Sequence, residues 1–343
     1  MDILPADVHL LINRSLWDKF FPGQNPPKNV TVIRANLKYF KYTGRLFYPF
    51  YIVYLYYKHR CTSMHIANSI INPILFIRLV NYLRIPYCYT FPSNSIEMII
   101  YGSEKRRRYY TKLLSMIRNL DILNPTHHLD KFPARKFISP TSFPYIRELN
   151  DIPEEQYTQA NRENVIVFSG SFIPQKNPDL AVEGFYEFLK CNPESDARLA
   201  LIGKGDMFEQ LNSRVNEINL AVGRTAITFE NESSLFDVLS RSKIFLSLQD
   251  FDNYPSQSVM EAMLFCNSIV SIDNGDTSRL VLVEKNNILL RKKSPEDLGK
   301  NIGRLLEGWQ LNRVNRQHIL EHFTAEKYGE YFFDIHRQLA TRK

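Results

Sequence analysis

The sequence predicts an α/β protein made of two Rossmann-like domains. Three observations carry this. A chain of 343 residues, 44% of them hydrophobic, is long enough for two cores. From Asn164 onwards, short apolar runs at Val165, Leu199, Ile227, Ile244, Ile269 and Ile288 alternate with helix-patterned segments. That is the rhythm of a parallel sheet wound with helices. Charge is also divided. Residues 1–150 hold 21 Lys and Arg against 8 Asp and Glu, with 14 of the 19 tyrosines, and the remainder hold 22 against 28. A basic, Tyr-rich half joined to an acidic half implies two domains with different partners.

Composition excludes several classes. Cys61, Cys88, Cys191 and Cys266 lack C-x-x-C spacing, so reduced thiols in a cytoplasmic protein are expected, not a disulfide frame or a zinc site. Asp2 and Asp7 stand where a signal peptide would carry basic residues. The longest apolar stretch, Leu46–Tyr57, is too short to span a bilayer. No G-x-G-x-x-G is present, which argues against a dinucleotide dehydrogenase.

In the first half, strands are expected at Val8–Ile12 and Val30–Ile33 around a Pro/Gly loop. Leu37–Arg60 is dominated by aromatics with basic flanks. It reads either as a core helix interrupted at Pro49, or as an interfacial segment whose Lys38, Lys41, Arg45, Lys58 and Arg60 meet anionic lipid. Met64–Ala67, a helix through Arg84, and Pro86–Thr90 continue the β-α-β rhythm. Glu104–Lys112 opens a helix expected to reach Asn119. Its Arg106–Arg108 could meet phosphates, but no nucleic-acid fold signature accompanies them, so no nucleic-acid partner is expected. Strands follow at Asp121–Asn124 and Lys136–Pro140, with His127 and His128 between them. Adjacent histidines diverge and make a poor metal pair, so no metal site is expected there. A polar linker puts the domain boundary near Asn150.

In the second half, Val165–Gly170 is a strand, and Pro178 suits the first turn of the next helix. Arg198–Gly205 is a strand ending in a Gly turn, and Ala226–Phe229 another strand. Ile244–Ile272 then reads as strand, loop, helix, strand. Ser256 or Ser258 can cap that helix, whose apolar face includes Val259, Met260 and Met263. A loop entering a helix at the C-terminal end of a parallel strand is where open α/β sheets bind ligands, and helix N-termini favour phosphate. Asp273–Thr277 lies on the same sheet edge, and Ala325–Leu339 is an amphipathic terminal helix.

Asn253–Met263, NYPSQSVMEAM, followed by FCNSIVSIDNGDTSRLV, resembles the donor-binding segment of GT-B glycosyltransferases of the family-four kind. The second acid of that family's Glu-x7-Glu pattern falls on Glu261, which the resemblance assigns to the ribose hydroxyls. The first acid is altered: counting back eight residues gives Asn253, while Asp252 is one residue farther. These two are expected to meet the donor sugar or the positive charge at its anomeric carbon. Gly170 to Asn177 is similar to the family's Gly-Arg-x-x-x-x-Lys-(Gly/Asn), whose Arg and Lys grip the donor diphosphate. Lys176 matches, and Ser171 stands at the Arg position. A lysine can hold phosphate as a compact charge, without the bidentate fork of a guanidinium. Gly203 and Lys204 match a "Val-Gly-x-Gly" turn, and Phe229 marks the strand whose following turn packs beside the base.

The resemblance implies a GT-B fold, two Rossmann-like domains facing a cleft, with an acceptor in the basic first domain and the terminal helix crossing back to it. It also implies transfer from a UDP- or GDP-sugar with retention and no obligatory metal or cofactor. Lys176 and the helix N-terminus around Tyr254, Ser256, Gln257 and Ser258 would hold the diphosphate. Asp250 and Asp252 have Asp-x-Asp spacing but lie within the donor loop. The family's catalytic-site His is replaced at Thr90-Phe91-Pro92, and His65, at the earlier strand, could reach the cleft or be structural. The expected acceptor is a glycan or lipid-linked surface polysaccharide, handled in the cytoplasm at the inner face of the plasma membrane. The competing class is a non-catalytic relative that binds a nucleotide sugar or an enzyme partner, motivated by these departures.

Overall fold

The computed structural model describes residues 8–13, 30–35, 47–67, 72–91, 102–122, 129–139, 158–251, 254–275, 277–283 and 286–341. The chain divides into two compact units, residues 1–140 with 326–343 and residues 141–325. The expected boundary near Asn150, the histidine pair at 127 and 128, and Lys38, Lys41 and Arg45 lie outside the described residues.

In the first unit, β1 (Val8–Asn13) and β2 (Val30–Ala35) pair in parallel. After α1 (Tyr48–Lys58) comes a parallel sheet ordered β3 (Met64–Ile66), β4 (Tyr87–Phe91), β5 (Asn119–Ile122) and β6 (Arg135–Ile138), with α2 (Pro73–Tyr82) and α3 (Glu104–Met116) as crossovers. Pro49 does not interrupt α1. It sits in the first turn, where its missing N–H has no helical partner to lose. Helix α3 stops at Met116, short of the expected Asn119. Ile117 turns extended and is buried, and the Asn119 side chain donates to the Tyr87 carbonyl at 3.0 Å, recruiting that residue to the sheet. Alternation along β4 divides the core. Tyr87 and Tyr89 pack beneath the three helices with Phe76, Ile77, Leu113 and Leu114, while Cys88 faces Phe137 and the terminal helix through Ile335 and Leu339. That helix spans Ala325–Ala340.

The second unit is a six-stranded parallel sheet. Its elements in chain order are β7 (Val165–Ser169), α4 (Pro178–Cys191), β8 (Arg198–Ile202), α5 (Phe208–Ala221), β9 (Ile227–Glu230), α6 (Leu235–Arg241) and β10 (Ile244–Ser247), then α7 (Gln257–Leu264), β11 (Ser268–Ile272), α8 (Thr277–Leu280), β12 (Ile288–Leu290), α9 (Pro295–Leu306) and α10 (Arg313–His322). The spatial order is β12-β11-β10-β7-β8-β9. Strands buried on both faces explain the near-continuous apolar runs in the sequence. Ile166 and Phe168 face the core under α4, α5 and α9, and Val165 and Val167 the core under α6, α7 and α10. Helices α4 and α9 approach so closely that a Cβ on Gly299 would lie 2.8 Å from the Gly184 carbonyl oxygen. Helix α10 is fixed by a buried amide cluster: Asn315 donates to the Asn267 carbonyl at 2.7 Å and to the Asn287 side chain at 2.9 Å. The winding direction reverses at β7, whose neighbours are β8 on one side and β10 on the other. The crevice beyond the carboxyl ends of β7 and β10 is thus the topological switch point of this sheet.

Candidate functional site

Two loops meet at that switch point. The first leaves β7 through Gly170 and Ser171, makes a single 3-10 turn over Pro174–Lys176, and enters α4 through Asn177. Asn177 is left-handed, with φ 50° and ψ 51°, a conformation that Gly and Asn adopt most readily. This is the physical reason for Gly or Asn after the lysine. The second loop leaves β10 through Leu248–Phe251. The two are tied together: the Asp250 N–H donates to the Gln175 carbonyl at 2.9 Å, and the Asn177 amide to the Leu248 carbonyl at 2.7 Å. Asn177 also bonds the Asp250 carboxylate, which pairs with Lys293 from the end of β12. Asn274 donates to the Gln249 carbonyl at 2.7 Å, adding the loop after β11. In this frame the Lys176 ammonium lies 2.5 Å from Gln249 Oε1 and 5.2 Å from the centre of the Phe251 ring. A cation is therefore held at the crevice by a neutral amide and a ring face.

The Gly turn after β8 serves this loop from behind. A Cβ on Gly203 would lie 1.9 Å from the Gly170 oxygen, and one on Gly205 would lie 2.3 Å from the Phe172 oxygen. The glycines thus let two backbones touch. The Phe172 N–H donates to the Lys204 carbonyl at 2.8 Å, and the Lys204 side chain is exposed and 3.2 Å from Glu232. Phe229 is half-buried in a ring cluster, 5.9 Å from Phe172 and 5.0 Å from Phe208.

Helix α7 begins at the same sheet edge. Ser256 is its N-cap residue but forms no side-chain capping bond, and the same is true of Asn177 on α4. The first turn of α7 carries no acid, so its backbone N–H groups favour an anion, while α4 begins with Pro178, which has no N–H, and Asp179. A small cavity beside α7 is lined by Ser247, Gln249, Tyr254, Ser256, Ser271 and Thr277. Tyr254 is buried under the Arg279 guanidinium, 5.0 Å from its ring centre. Ser258 is half-buried, 3.4 Å from Ser256 Oγ, and Gln257 is exposed. Glu261 is buried one turn into α7 and accepts from the Gln257 amide at 3.1 Å. Burial pushes its carboxyl up, and the Gln257 bond pulls it partly back. Asp252, Asn253 and Asp276 lie outside the described residues.

The fold thus brings together Gly170, Ser171, Lys176, Gly203 and Lys204, with Tyr254 to Glu261 at the next strand. Sequence reasoning missed Gln249, Asn274, Lys293 and Arg279. The Asn-Pro dipeptide at Asn177–Pro178 and the Asn-Gly dipeptide at Asn274–Gly275 each carried a local signal, that of a turn. His65 lies in the first unit. Its Nδ1 is 3.0 Å from His336 Nε2 and its Nε2 is 2.5 Å from Thr90 Oγ1. Thr90 and Tyr331 donate to Asp121 at 2.8 and 2.5 Å. The imidazole is committed to a buried network that joins the terminal helix to β3, β4 and β5. Burial lowers His65 to about 3, with His336 adding to the effect, and lowers His336 to about 4. Among the described residues no group of three or more His, Cys, Asp or Glu is arranged to hold a metal ion.

Residues 151–319 match the family described as glycosyl transferases group 1. The chain is 26% identical over 159 residues to a Neurospora crassa protein named GDP-Man:Man(3)GlcNAc(2)-PP-Dol alpha-1,2-mannosyltransferase, covering 44% of this chain and 28% of that protein. It is 23% identical over 189 residues to an uncharacterized glycosyltransferase of Methanocaldococcus jannaschii, covering 52% of this chain and 49% of that one. The matches span half or less of the length of these curated relatives. Among solved structures, sucrose-phosphate synthase of Thermosynechococcus elongatus superposes with a TM-score of 0.67 at 15% identity, covering 98% of this chain and 90% of that one. Anabaena HepE in complex with UDP superposes with a TM-score of 0.67 at 14% identity, covering 89% and 84%. The fold is GT-B.

Proposed function

Residues 151–319 belong to the glycosyl transferases group 1 family, and from that premise we propose that the protein moves a hexose from a UDP- or GDP-sugar to a glycan or lipid-linked acceptor. The observation that carries this is the meeting of two tied loops at the switch point, with the Lys176 ammonium 2.5 Å from Gln249 in the crevice. A nucleoside diphosphate leaving group develops charge there, and fixed cations and N–H groups stabilise it without reorganising. In this reading Lys176 and the first turn of α7 hold the diphosphate, Glu261 takes the ribose, and Asp252 and Asn253 meet the donor sugar. Protein groups supply the positive charge, so no metal is required, and the anomeric configuration is retained. The donor and acceptor classes draw support from the UDP bound to the Anabaena protein and from the dolichol-linked glycan in the Neurospora protein's name. The acceptor pathway is surface polysaccharide synthesis, with the protein peripheral on the cytoplasmic face of the membrane.

A thermal-shift series with UDP, GDP, ADP and CMP tests the site. Saturation at about a hundred times the dissociation constant adds roughly 2.7 kcal/mol, so one nucleotide should raise the melting point and Glu261→Ala should abolish the rise. No shift with any of the four refutes the donor site. Ser171 in place of an arginine favours one other reading, a binding protein without turnover. Nucleotide binding without release of nucleoside diphosphate from the matching sugar donor, in the presence of acceptor, would establish it.

A further inference from the structure

The three helices over the Tyr87/Tyr89 face of the first unit form one layer, α1 packing on α2 and α2 on α3. The outer surface of this layer has an unusual make-up. Phe47, Phe50, Tyr54 and Tyr57 are 67, 51, 55 and 56% exposed. Their spacing of three, four and three residues places them in one stripe, while Val53 and Leu55 of the same helix are buried. Tyr82, at the end of α2, is 84% exposed. Scattered exposed apolar residues need no explanation, but a stripe of four large rings does.

Charge says what kind of surface it meets. Residues 47–118 contain ten Lys and Arg and two acids, Glu97 and Glu104. Glu104 is already paired with Arg108. Lys105, Arg106, Arg107 and Lys112 of α3 are exposed, and Lys58 lies 5.7 Å from the Tyr54 ring centre. No helix among the described residues is long and apolar enough to cross a membrane. Rings with a polar edge settle at headgroup depth, and basic side chains beside them meet lipid phosphates. A protein partner would satisfy the rings but would need a matching acidic face. An anionic bilayer supplies both at once.

We propose that the outer surface of α1, α2 and α3 docks the protein on an anionic lipid bilayer, the α1 stripe entering the headgroup region and α3 lying against the phosphates. This rests on the membrane-acceptor reading for its purpose alone. Vesicle binding is measured without donor or acceptor, so either can fail separately.

The experiment is sedimentation of the full chain with vesicles of phosphatidylcholine alone or mixed with phosphatidylglycerol, at low and high salt. Binding is expected only to the mixed vesicles and should weaken with salt. Each basic residue near such a surface contributes about fivefold, so Lys105→Gln with Arg106→Gln and Arg107→Gln should weaken binding roughly a hundredfold. Phe50→Ser with Tyr54→Ser should cost about tenfold or more, since buried ring area is lost. All five side chains are exposed, so the melting points should stay where they are. Equal binding to neutral vesicles, no binding to anionic ones, unchanged binding by either variant, or displacement from vesicles by a stoichiometric RNA oligonucleotide would overturn the proposal.

Discussion

Gly203→Ala tests whether the Gly turn after β8 holds the phosphate-side loop in place. The added Cβ would sit 1.9 Å from the Gly170 carbonyl oxygen and 3.1 Å from the Phe172 ring. Ordinary contact begins at 3.4 Å, so the Gly170 backbone must yield by about 1.5 Å. Gly203 also has φ +155°, which L side chains rarely adopt. Overpacking costs about 1–3 kcal/mol and an unfavourable φ about 1–2 kcal/mol, together roughly 4 kcal/mol. In a unit spanning residues 141–325, each kcal/mol moves the melting point by about 2–4 °C, so a fall of about 10 °C is expected. The loop that yields carries Ser171 and Lys176, and a misplacement on the order of 1 Å should cost roughly tenfold or more in nucleoside diphosphate affinity. Gly223→Ala is the control. Its φ is +70° but nothing lies within 4 Å of its Cβ, so only the backbone term of about 1 kcal/mol applies. Differential scanning calorimetry and isothermal titration with the preferred nucleotide read both effects. If Gly203→Ala melts and binds like Gly223→Ala, the reasoning is wrong.

Lys176→Ala should reduce nucleoside diphosphate affinity by about tenfold or more while leaving the melting point within about 1 °C, because a charge-assisted bond is lost from a partly exposed side chain. Isothermal titration checks this, and an unchanged affinity would remove Lys176 from the site. Asn315→Ala leaves the Asn267 carbonyl and the Asn287 side chain each short of a donor in a buried cluster. It should cost about 3 kcal/mol in urea unfolding, against a null result if water replaces the amide. His65 and His336 are neutral when folded, near 3 and 4, but take up protons when unfolded below about pH 6.5. Their stabilising effect is therefore full above that pH and is lost as pH falls towards 4, by on the order of 3 kcal/mol between pH 7 and 5. Asp121, raised by burial and with its carboxylate 3.6 Å from His65 Nε2, opposes this. Hydrogen exchange of residues 325–340, corrected for intrinsic rate, should show protection falling over that window, and less so in His336→Gln. Protection independent of pH would contradict the assignment.

Much of the second unit could be read directly. Its strands are apolar on both faces because helices cover both, and short β-branched runs between turn formers have few other uses. The loop proposed to hold the donor could be read in part. Lys176–Asn177 carries its own explanation, since a lysine before a left-handed turn needs Gly or Asn next. The first unit was harder. Pro49 reads as an interruption until the helix is seen to begin there, and Asn119 reads as the end of a helix until Tyr87 offers its side chain a carbonyl in the sheet.

The sequence by itself determined the α/β class, the succession of strands and helices along the chain, and the basic character of the first half. Those properties depend on local periodicity, turn chemistry and composition, which a linear chain displays. Only the tertiary structure decided that Gln249, Asn274 and Lys293 frame the crevice, that Gly203 and Gly205 face backbone, and that His65 is bound to His336, 271 positions away. Contacts of that range depend on which strands become neighbours when apolar faces are buried together, and no local pattern encodes that pairing.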